Sequence, residues 1–257
     1  MSQSLVEQAK KAAAFAAVDE FVKSGMKVGV GSGSTVVYVV NRLCEKMRAG
    51  ELPNIVTVPT SFQSEQLLRE AGLTVCGLND LGDDMLDVAI DGADECSVVK
   101  QDDAIVGIDA IKGGGGCQLQ EKLVAANAKK FVIVADYRKI SPGGLGVAWT
   151  KGVPVEVVPQ AYRSVQRRIR LLGGSSELRT GSGKAGPVVT DNGNMLLDAV
   201  FGECAHQRNL ELAQALSCTP GIVEHGLFLD MACCAFFGMQ DGSICTWRTL
   251  DRSTASL

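Results

Sequence analysis

Three features of the sequence predict an α/β protein with a Rossmann-like, mostly parallel sheet flanked by helices and a second, smaller α+β domain. Short apolar strands alternate with helical patterns through the first part of the chain, and glycine-rich turns follow several of these strands. The pattern then changes after residue 152. Alternation of strand and helix is typical of a parallel sheet, because each crossover between parallel strands passes through a helix.

The first region follows a regular order of strand and helix. It opens with an Ala-rich helical pattern at 5–23. The predicted strands cover 26–30, 54–60, 73–78, 86–90 and 129–136, and the predicted helices between them cover 34–47, 61–72 and the segment after the glycines at 113–116. The connection 96–111 is long, and we expect an extended surface hairpin there.

The second region has a different pattern of predicted strands and helices. Residues 153–222 predict a strand, a helix and further short strands, and "PVVTDNGNMLLDAV" places an Asn-Gly pair between two apolar runs, which is a strong hairpin signal. Strands within "HGLFLDMACCAFFGMQDGSICTWR" are expected to rejoin the first sheet. We therefore expect an α/β catalytic domain of residues 1–152 and 223–257 and a small α+β domain of residues 153–222.

The composition narrows the functional class. The formal net charge is −4, without a basic run or a basic aromatic stripe, so no nucleic-acid partner is expected. The N-terminal residues lack a signal-peptide pattern, and we expect a cytoplasmic protein without a membrane partner. The nine cysteines contain no C-x-x-C pair and the two histidines are not clustered. This spacing predicts neither a metal site nor a disulfide framework.

The loop "GVGSGST" (29–35) ends a strand and opens a helix. In open α/β sheets, ligands bind outside the carboxyl ends of the strands. Backbone N–H groups of this loop, including that of Gly33, and the hydroxyls of Ser32, Ser34 and Thr35 can hold an anion such as a phosphate. The alternative is a glycine-rich turn in which Ser34 only caps the helix.

The loop "DGADE" (91–95) also follows an apolar strand. Asp91 and Asp94 flank a sharp turn at Gly92 and Ala93, so both carboxylates can face one crevice and divide the work of proton transfer. The alternative is a turn whose aspartate caps a short helix.

The segment "IKGGGGCQLQEKLVAA" (111–126) contains four consecutive glycines, although each costs about 0.5–1 kcal/mol relative to alanine inside an element. The N–H groups of Gly113, Gly114 and Gly115 can point at one anion, with Lys112 at the edge and Glu121 over the same pocket. The alternative is a flexible linker with both charged side chains in solvent.

Together, the three loops suit one kind of chemistry. A carboxylate base, a lysine and an array of amide donors can remove a proton next to a carbonyl and hold the resulting enediolate. A phosphate held by the first loop would orient the reacting end of the substrate. These residues predict an aldose–ketose isomerase that acts on a sugar phosphate.

Eight motifs in this order resemble the type A ribose-5-phosphate isomerase family. They are "GVGSGST", "PTSFQSEQLL", "DVAIDGADE", "IKGGGGCQLQEKLVA", "VIVADYRK", "PVEVVPQA", "TDNGNMLLD" and "PGIVEHGLF". The resemblance implies interconversion of D-ribose 5-phosphate and D-ribulose 5-phosphate in the non-oxidative pentose phosphate pathway, without a cofactor. It also implies a homodimer or higher homo-oligomer.

The resemblance also assigns roles to residues. The proton acceptor matches Glu121, and the substrate-contacting loops match Ser32 to Thr35, Asp91 to Asp94 and Lys112 to Gly115. Further substrate-contacting lysines match Lys139 and, near the N-terminus, Lys11. Asp91 is the candidate for the ring-opening proton transfer, while Lys112 and Asp94 position and stabilise the substrate oxygens.

Two alternatives use the same architecture. In a CoA-transferase-like enzyme, the glutamate would act as a nucleophile. A non-catalytic sugar-phosphate-binding protein is the other alternative, and it applies if the long segment 96–111 blocks the site. Ser32 also departs from the threonine that is common in the family, but it keeps the hydroxyl.

Overall fold

The computed structural model describes residues 2–250, with side chains from Leu5 onward. The first half of the chain alternates strands and helices as the sequence predicts. Its elements are α1 (Ser2–Phe21), β1 (Lys27–Val30), α2 (Val36–Arg48), β2 (Val56–Pro59), α3 (Phe62–Glu70), β3 (Thr74–Val75), β4 (Val88–Asp91), β5 (Glu95–Gln101), β6 (Ala104–Ile111), α4 (Gln118–Ala126) and β7 (Phe131–Asp136). The predicted strand 73–78 is shorter than expected, because a 3-10 turn at Leu78–Leu81 follows it.

The second half contributes shorter elements. They are β8 (Val153–Val157), α5 (Tyr162–Leu171), β9 (Ser175–Leu178), β10 (Met195–Val200), α6 (His206–Ser217), β11 (Ile222–His225), β12 (Leu227–Leu229), β13 (Cys234–Gly238) and β14 (Ile244–Arg248). Helix α6 was not predicted from the sequence. The Asn-Gly turn is present, but only its second arm forms a regular strand, since the first arm makes single bridges at Thr180–Pro187 and Val189–Met195.

A seven-stranded sheet forms the centre of the molecule, in the order β14-β13-β7-β4-β1-β2-β3. Its pairs are parallel except for β13 with β14, which confirms the predicted mostly parallel sheet. The last two strands rejoin this sheet beside β7, as expected. The carboxyl ends of β1, β2, β4 and β7 consequently meet at one edge.

Alternating side chains of the sheet pack against helices on both faces. Val28 and Val30 of β1 belong to the core beneath α1, α2 and α3. Gly29 faces the other way, where an added Cβ would lie 2.5 Å from Val124 of α4. Because successive strand residues point to opposite faces, a strand buried on both sides is apolar throughout. Helix α4, which carries Glu121, is thereby seated directly on the sheet.

The long connection 96–111 forms the hairpin of β5 and β6, closed by Asp102 and Asp103 at positive φ. Only its tip is exposed. Cys96, Ile108 and Ala110 near its base are fully buried, and β12 pairs with β6 to complete a three-stranded sheet. The expectation of a surface hairpin is therefore correct for the tip and wrong for the base.

The small region is built on a four-stranded sheet in the order β11-β8-β10-β9. Helices α5 and α6 cover it, and Val165, Ile169, Leu212 and Leu216 enter its core. Strand β11 belongs to this sheet, so the chain returns to the larger sheet only after His225. Residues 251–257, which are expected to belong to the larger domain, lie outside the described residues. Within 2–250, none of the helices combines the length and apolar character needed to span a membrane.

Candidate active site

A cavity of about 430 Å³ lies at the carboxyl edge of the large sheet. The loops after β1, β2, β4 and β7 line it, together with the glycine segment and the first turn of α4. The predicted residues that line it are Ser32, Gly33, Ser34, Thr35, Gly92, Ala93, Asp94, Lys112, Gly113, Gly114, Gly115, Glu121 and Lys139. The three loops singled out in the sequence therefore meet in one cavity.

Lys112 is the centre of a buried charge cluster. Its Nζ lies 2.8 Å from Asp91 Oδ2 and 3.4 Å from Glu121 Oε2, and it donates to the carbonyl oxygen of Gly92 at 2.6 Å. Lys112 and Asp91 are each 2% exposed, and Glu121 is 5% exposed. A lysine shared between two buried carboxylates holds its charge and its position firmly.

Burial and charge act in opposite directions on these groups. Burial raises the pKa of Glu121 to about 8, although the nearby Lys112 ammonium opposes the shift. Burial alone would lower the pKa of Lys112, but the carboxylates of Asp91 and Glu121 outweigh it and raise that pKa above its usual value. Glu121 is therefore a carboxylate with the proton affinity expected of a general base near neutral pH.

The three acids of "DGADE" lie in three different environments. Asp94 lines the cavity and accepts a hydrogen bond from the Gly114 N–H at 2.7 Å. Asp91 lies below the cavity wall, where its Oδ1 accepts from the N–H groups of Ser32 and Gly92 at 3.0 and 2.7 Å. Glu95 points away and accepts from three N–H groups of the loop 146–148. Of the two aspartates predicted to face one crevice, Asp94 lines the cavity. Asp91 does not line it and instead contacts Lys112, which does.

A glycine makes the buried position of Asp91 possible. A Cβ on Gly31 would lie 1.8 Å from Asp91 Oδ1. Since no side chain can occupy that space, only glycine lets the carboxylate approach the loop after β1 and bond to Ser32. The small residues of "GVGSGST" therefore admit the acid of a neighbouring strand.

The glycine segment is well ordered by hydrogen bonds. The Gly114 N–H bonds to Asp94, and the Gly116 N–H donates to the carbonyl of Gly113 at 2.9 Å. Within the described part of the chain, the N–H groups of Gly113 and Gly115 have no partner. Of the three predicted donors Gly113, Gly114 and Gly115, two therefore remain, because the Gly114 N–H is used inside the protein.

The basic end of the cavity is rich in cationic and hydroxyl side chains. Lys10 Nζ bonds to Ser34 Oγ at 2.9 Å and pairs with Glu7 at 2.8 Å. Helix α2 begins after Thr35, which lines the cavity and whose side chain makes no capping bond to the first N–H groups of the helix. Arg138 and Lys139 line the same cavity. Cationic side chains at a helix N-terminus form an anion site.

Comparison with known proteins agrees with the geometry of the site. The family model of ribose 5-phosphate isomerase A (phosphoriboisomerase A) matches residues 56–242. The chain belongs to the ribose 5-phosphate isomerase A family. Proteins named ribose-5-phosphate isomerase include that of Debaryomyces hansenii, 48% identical over 95% of this chain and 92% of that protein. That of Dictyostelium discoideum is 48% identical over 93% and 97%, and that of Homo sapiens is 46% identical over 95% and 74%.

Solved structures of the family share the fold. A D-ribose-5-phosphate isomerase in complex with phospho-erythronic acid superimposes with a TM-score of 0.85 at 34% identity, covering 95% of this chain and 99% of that one. Ribose 5-phosphate isomerase from Plasmodium falciparum gives a TM-score of 0.85 at 32% identity, covering 95% and 100%. The similarity therefore extends through all three sheets of the molecule.

One predicted residue lies elsewhere in this member of the family. Lys11 is outside the active-site cavity, with its Nζ 5.0 Å from the ring of Phe15 in a groove beside α2. Its neighbour Lys10 lines the cavity instead. Adjacent residues of an α-helix point about 100° apart, since a turn takes 3.6 residues, so only one of the two can face the site.

Further cavity residues were not found from the sequence. Arg138 lies beside the predicted Lys139 and is held by Asp136, with Nε to Oδ1 at 2.6 Å. Asp191, in the Asn-Gly turn of the small sheet, lines the cavity and accepts from the Phe62 N–H at 3.0 Å. The sequence did contain a local signal for Arg138, because a basic residue directly follows "ADY". The contribution of Asp191 depends on long-range packing, which gives no such local signal.

Cys117 and the histidines are outside the charge cluster. Burial and the neighbouring Glu121 raise the pKa of the Cys117 thiol, which disfavours a thiolate nucleophile. His225 lies behind α4 against Lys122, and burial lowers its pKa to about 4. Over residues 2–250, no group of three or more His, Cys, Asp or Glu side chains has the arrangement of a metal site.

Proposed function

We propose that this protein interconverts D-ribose 5-phosphate and D-ribulose 5-phosphate through an enediolate. The observation that carries the proposal is the buried Glu121 carboxylate beside the Lys112 ammonium in the cavity wall, 3.4 Å apart. A base of raised pKa next to a fixed positive charge suits removal of a proton from carbon next to a carbonyl. Membership of the ribose 5-phosphate isomerase A family supports the same reaction.

The phosphate end of the substrate fits the basic end of the cavity. Lys10, Arg138 and Lys139 supply positive charge, and Ser34 with the first turn of α2 supplies hydrogen-bond donors. Phosphate is a common ligand of such helix N-termini. Anchoring the phosphate there would use binding energy remote from the reacting carbons to orient C1 and C2 toward Glu121.

Ring opening must precede isomerisation, because C2 carries an acidic proton only when C1 is an aldehyde. The proton of the C1 hydroxyl leaves and the ring oxygen gains one. The sequence predicts Asp91 for this transfer, and in the structure Asp91 contacts Lys112 at 2.8 Å while Lys112 lines the cavity. We infer that the Asp91–Lys112 pair handles this proton, with Lys112 as the member that meets the sugar and Asp94 orienting a hydroxyl.

Isomerisation then moves one proton between neighbouring carbons. Glu121 takes the proton from C2, and the electron pair shifts onto the C1 oxygen to give the enediolate. Lys112 and the Gly115 N–H stabilise the negative oxygen. The C1 oxygen then gains the proton that the C2 hydroxyl loses, and Glu121 returns its own proton to C1 as the C2 oxygen becomes the ketone. No net proton or electron is gained, so the chemistry needs no co-substrate.

The ligand of the related structure matches this scheme. Phospho-erythronic acid carries a phosphate and a carboxylate, and it is bound in a protein of the same fold and family. A planar carboxylate resembles the two oxygens of an enediolate. A cavity with a basic phosphate end and a Lys112–Glu121 end is therefore expected to bind the same acid here.

The test is direct. Conversion of ribose 5-phosphate is measured by a coupled assay or by circular dichroism in the presence of a chelator, first for the unaltered protein and then for Glu121→Gln. We expect activity in the chelator and a loss of at least about 10²-fold in kcat for the variant, because general-base catalysis contributes on this scale. Glu211→Gln, on an exposed helix face, is the matched control. A folded Glu121→Gln protein that keeps most of its rate would refute the assignment of the base.

The same proposal covers assembly, compartment and domain roles. We infer a cytoplasmic homo-oligomer, supported by the resemblance of the motifs to the family. We also infer that residues 1–152 and 223–257 supply the catalytic groups, with 153–222 as a supporting domain. Analytical ultracentrifugation tests the assembly. Incubation with an acyl-CoA followed by mass measurement tests the CoA-transferase alternative, and no Glu121 thioester is expected.

The alternative of a non-catalytic sugar-phosphate-binding protein, in which the segment 96–111 blocks the site, is not favoured. Among the described residues that line the cavity, none comes from the hairpin positions 96–110. The long connection therefore leaves the cavity accessible.

A further inference from the structure

Arg179, which directly follows β9 of the small sheet, reaches the glycine segment from behind. Its Nη1 donates to the carbonyl oxygens of Gly113 and Gly114, at 3.2 and 3.1 Å. Its Nε and Nη2 donate to the two carboxylate oxygens of Asp198, at 2.9 and 2.5 Å. One planar guanidinium thus holds a carboxylate on one side and two loop carbonyls on the other, a fork that a lysine ammonium cannot reproduce.

The backbone of Arg179 is itself held in place. The Arg179 N–H donates to Leu196 O, and its carbonyl accepts from the Val188 N–H, both at 2.8 Å. The Arg179 side chain is 18% exposed and is not part of the cavity wall. Arg179 therefore contacts the glycine segment from outside the cavity in which the sugar is proposed to bind.

The consequence for the segment follows from the planarity of the peptide bond. In a trans peptide, the C=O of one residue and the N–H of the next point in opposite directions. Fixing the Gly113 carbonyl on Arg179 turns the Gly114 N–H to the cavity side, where it bonds to Asp94 at 2.7 Å. Fixing the Gly114 carbonyl turns the Gly115 N–H in the same general sense. That N–H has no partner within residues 2–250 and belongs to a cavity-lining residue.

We propose that Arg179 is a positioning residue for the isomerase reaction, a role that rests on the proposed function. Its guanidinium sets two peptide planes, so that the Gly115 N–H faces the enediolate oxygen and the Gly114 N–H orients Asp94. The positive charge also polarises both peptides, which strengthens their N–H groups as donors. The small sheet thereby takes part in catalysis without touching the substrate.

The test compares Arg179→Ala, Asp198→Asn and the control Arg167→Ala, which removes an exposed arginine of α5. For Arg179→Ala we expect kcat to fall about 10- to 100-fold, somewhat less than the loss of a whole oxyanion donor. KM should stay within about threefold, because the phosphate site is untouched. The Kd of phospho-erythronic acid, measured by calorimetry, should rise by a factor similar to the fall in kcat. Asp198→Asn should show a smaller change in the same direction.

A second readout separates positioning from simple loss of folded protein. Millimolar guanidinium chloride should restore part of the kcat of Arg179→Ala, whereas equal sodium chloride should not, and neither salt should raise the rate of Arg167→Ala. A variant with unchanged Kd and reduced binding stoichiometry would overturn the proposal, since it would indicate fewer folded molecules.

The outcomes also separate this inference from the proposed function. An active wild-type protein with an equally active Arg179→Ala variant overturns the positioning role alone. An inactive wild-type protein that binds phospho-erythronic acid more tightly than Arg179→Ala overturns the proposed activity, while the orienting effect of Arg179 is supported.

Discussion

The contact between Gly114 and Asp94 yields the sharpest prediction about the site. Replacing Gly114 by alanine adds a Cβ that would lie 2.5 and 2.8 Å from the two Asp94 carboxylate oxygens and 2.9 Å from Cγ. Gly114 is not among the residues with positive φ, so the backbone itself accepts alanine. The effect of the substitution is therefore steric and acts on Asp94.

The magnitude follows from these distances. Ordinary contacts begin near 3.4 Å, so the carboxylate must move by about 1 Å, and its bond from the Gly114 N–H at 2.7 Å is lost. Such a displacement of a positioning group costs about 10²-fold in rate. Loss of a hydrogen bond to a charged group costs about 1.5–3 kcal/mol, which sets the upper range for the change in unfolding free energy.

The assay is the initial rate of ribose 5-phosphate isomerisation, with urea unfolding as the stability measurement. Gly181→Ala is the matched control, because its new Cβ would meet only ordinary contacts at 3.8 Å and its φ is not positive. We expect kcat/KM to fall about 10²-fold in Gly114→Ala and to stay within about twofold in Gly181→Ala.

A double-mutant cycle tests the cause. If Gly114→Ala acts by displacing Asp94, it should cost little further activity in an Asp94→Ala background, where no carboxylate remains to be displaced. Full additivity of the two effects would refute the reasoning, as would a Gly114→Ala protein as active as the Gly181→Ala control.

The remaining predictions concern charge. Because burial raises the pKa of Glu121 to about 8 and the base must be ionised, log kcat/KM should rise with pH up to that value and level off above it, and Glu121→Gln should lack this limb. The folded state keeps the Glu121 proton up to a higher pH than the unfolded chain does, because an ordinary glutamate has a pKa of 4.5. The unfolding free energy of the wild type relative to Glu121→Gln should therefore decrease as the pH rises from 4.5 to about 8. Lys112→Met leaves two buried carboxylates without their cation and should lower the unfolding free energy by about 3–5 kcal/mol in urea titrations; an unchanged midpoint would contradict the buried cluster. Lys10→Met should raise KM for ribose 5-phosphate by about tenfold with little change in kcat, whereas Lys11→Met should leave KM unaltered, and the reverse pattern would exclude the proposed phosphate end.

Much of the fold was predictable because its signals are local. The strands of the large sheet are short apolar runs, and the turns after them are rich in glycine and hydroxyl residues, so the order of elements and the edge that carries the site both follow from the sequence. Helix α6 was missed for a physical reason. Ala205 at its N-cap makes no side-chain capping bond, and Leu210 on the helix is exposed, which weakens both the start signal and the apolar periodicity.

The site could be predicted only to the level of loops. The spacing of Asp91 and Asp94 does not indicate that one carboxylate lies under the other loop, since this depends on the space left by Gly31. The choice between Lys10 and Lys11 depends on how α1 is rotated against the sheet, and an Ala-rich helix gives little indication of its rotation. The contact between Arg179 and the glycine segment joins residues that are 65 positions apart in the chain. It depends on how the small sheet packs against that segment.

The position of β13 beside β7 has a consequence for how the protein is made. During synthesis, β7 leaves the ribosome long before its partner, because the segments that meet at Phe131 and Cys233 are 102 residues apart in the chain. Until then, β7 is an open edge with an apolar surface that can pair with other chains. The pairing of β7 with β13 also forms late, because contacts between distant residues require a long stretch of chain to be ordered first. We therefore expect slow folding and early exposure to chaperones. A premature stop codon before residue 234 would therefore yield an aggregation-prone product, although every residue of the proposed charge cluster would already be present.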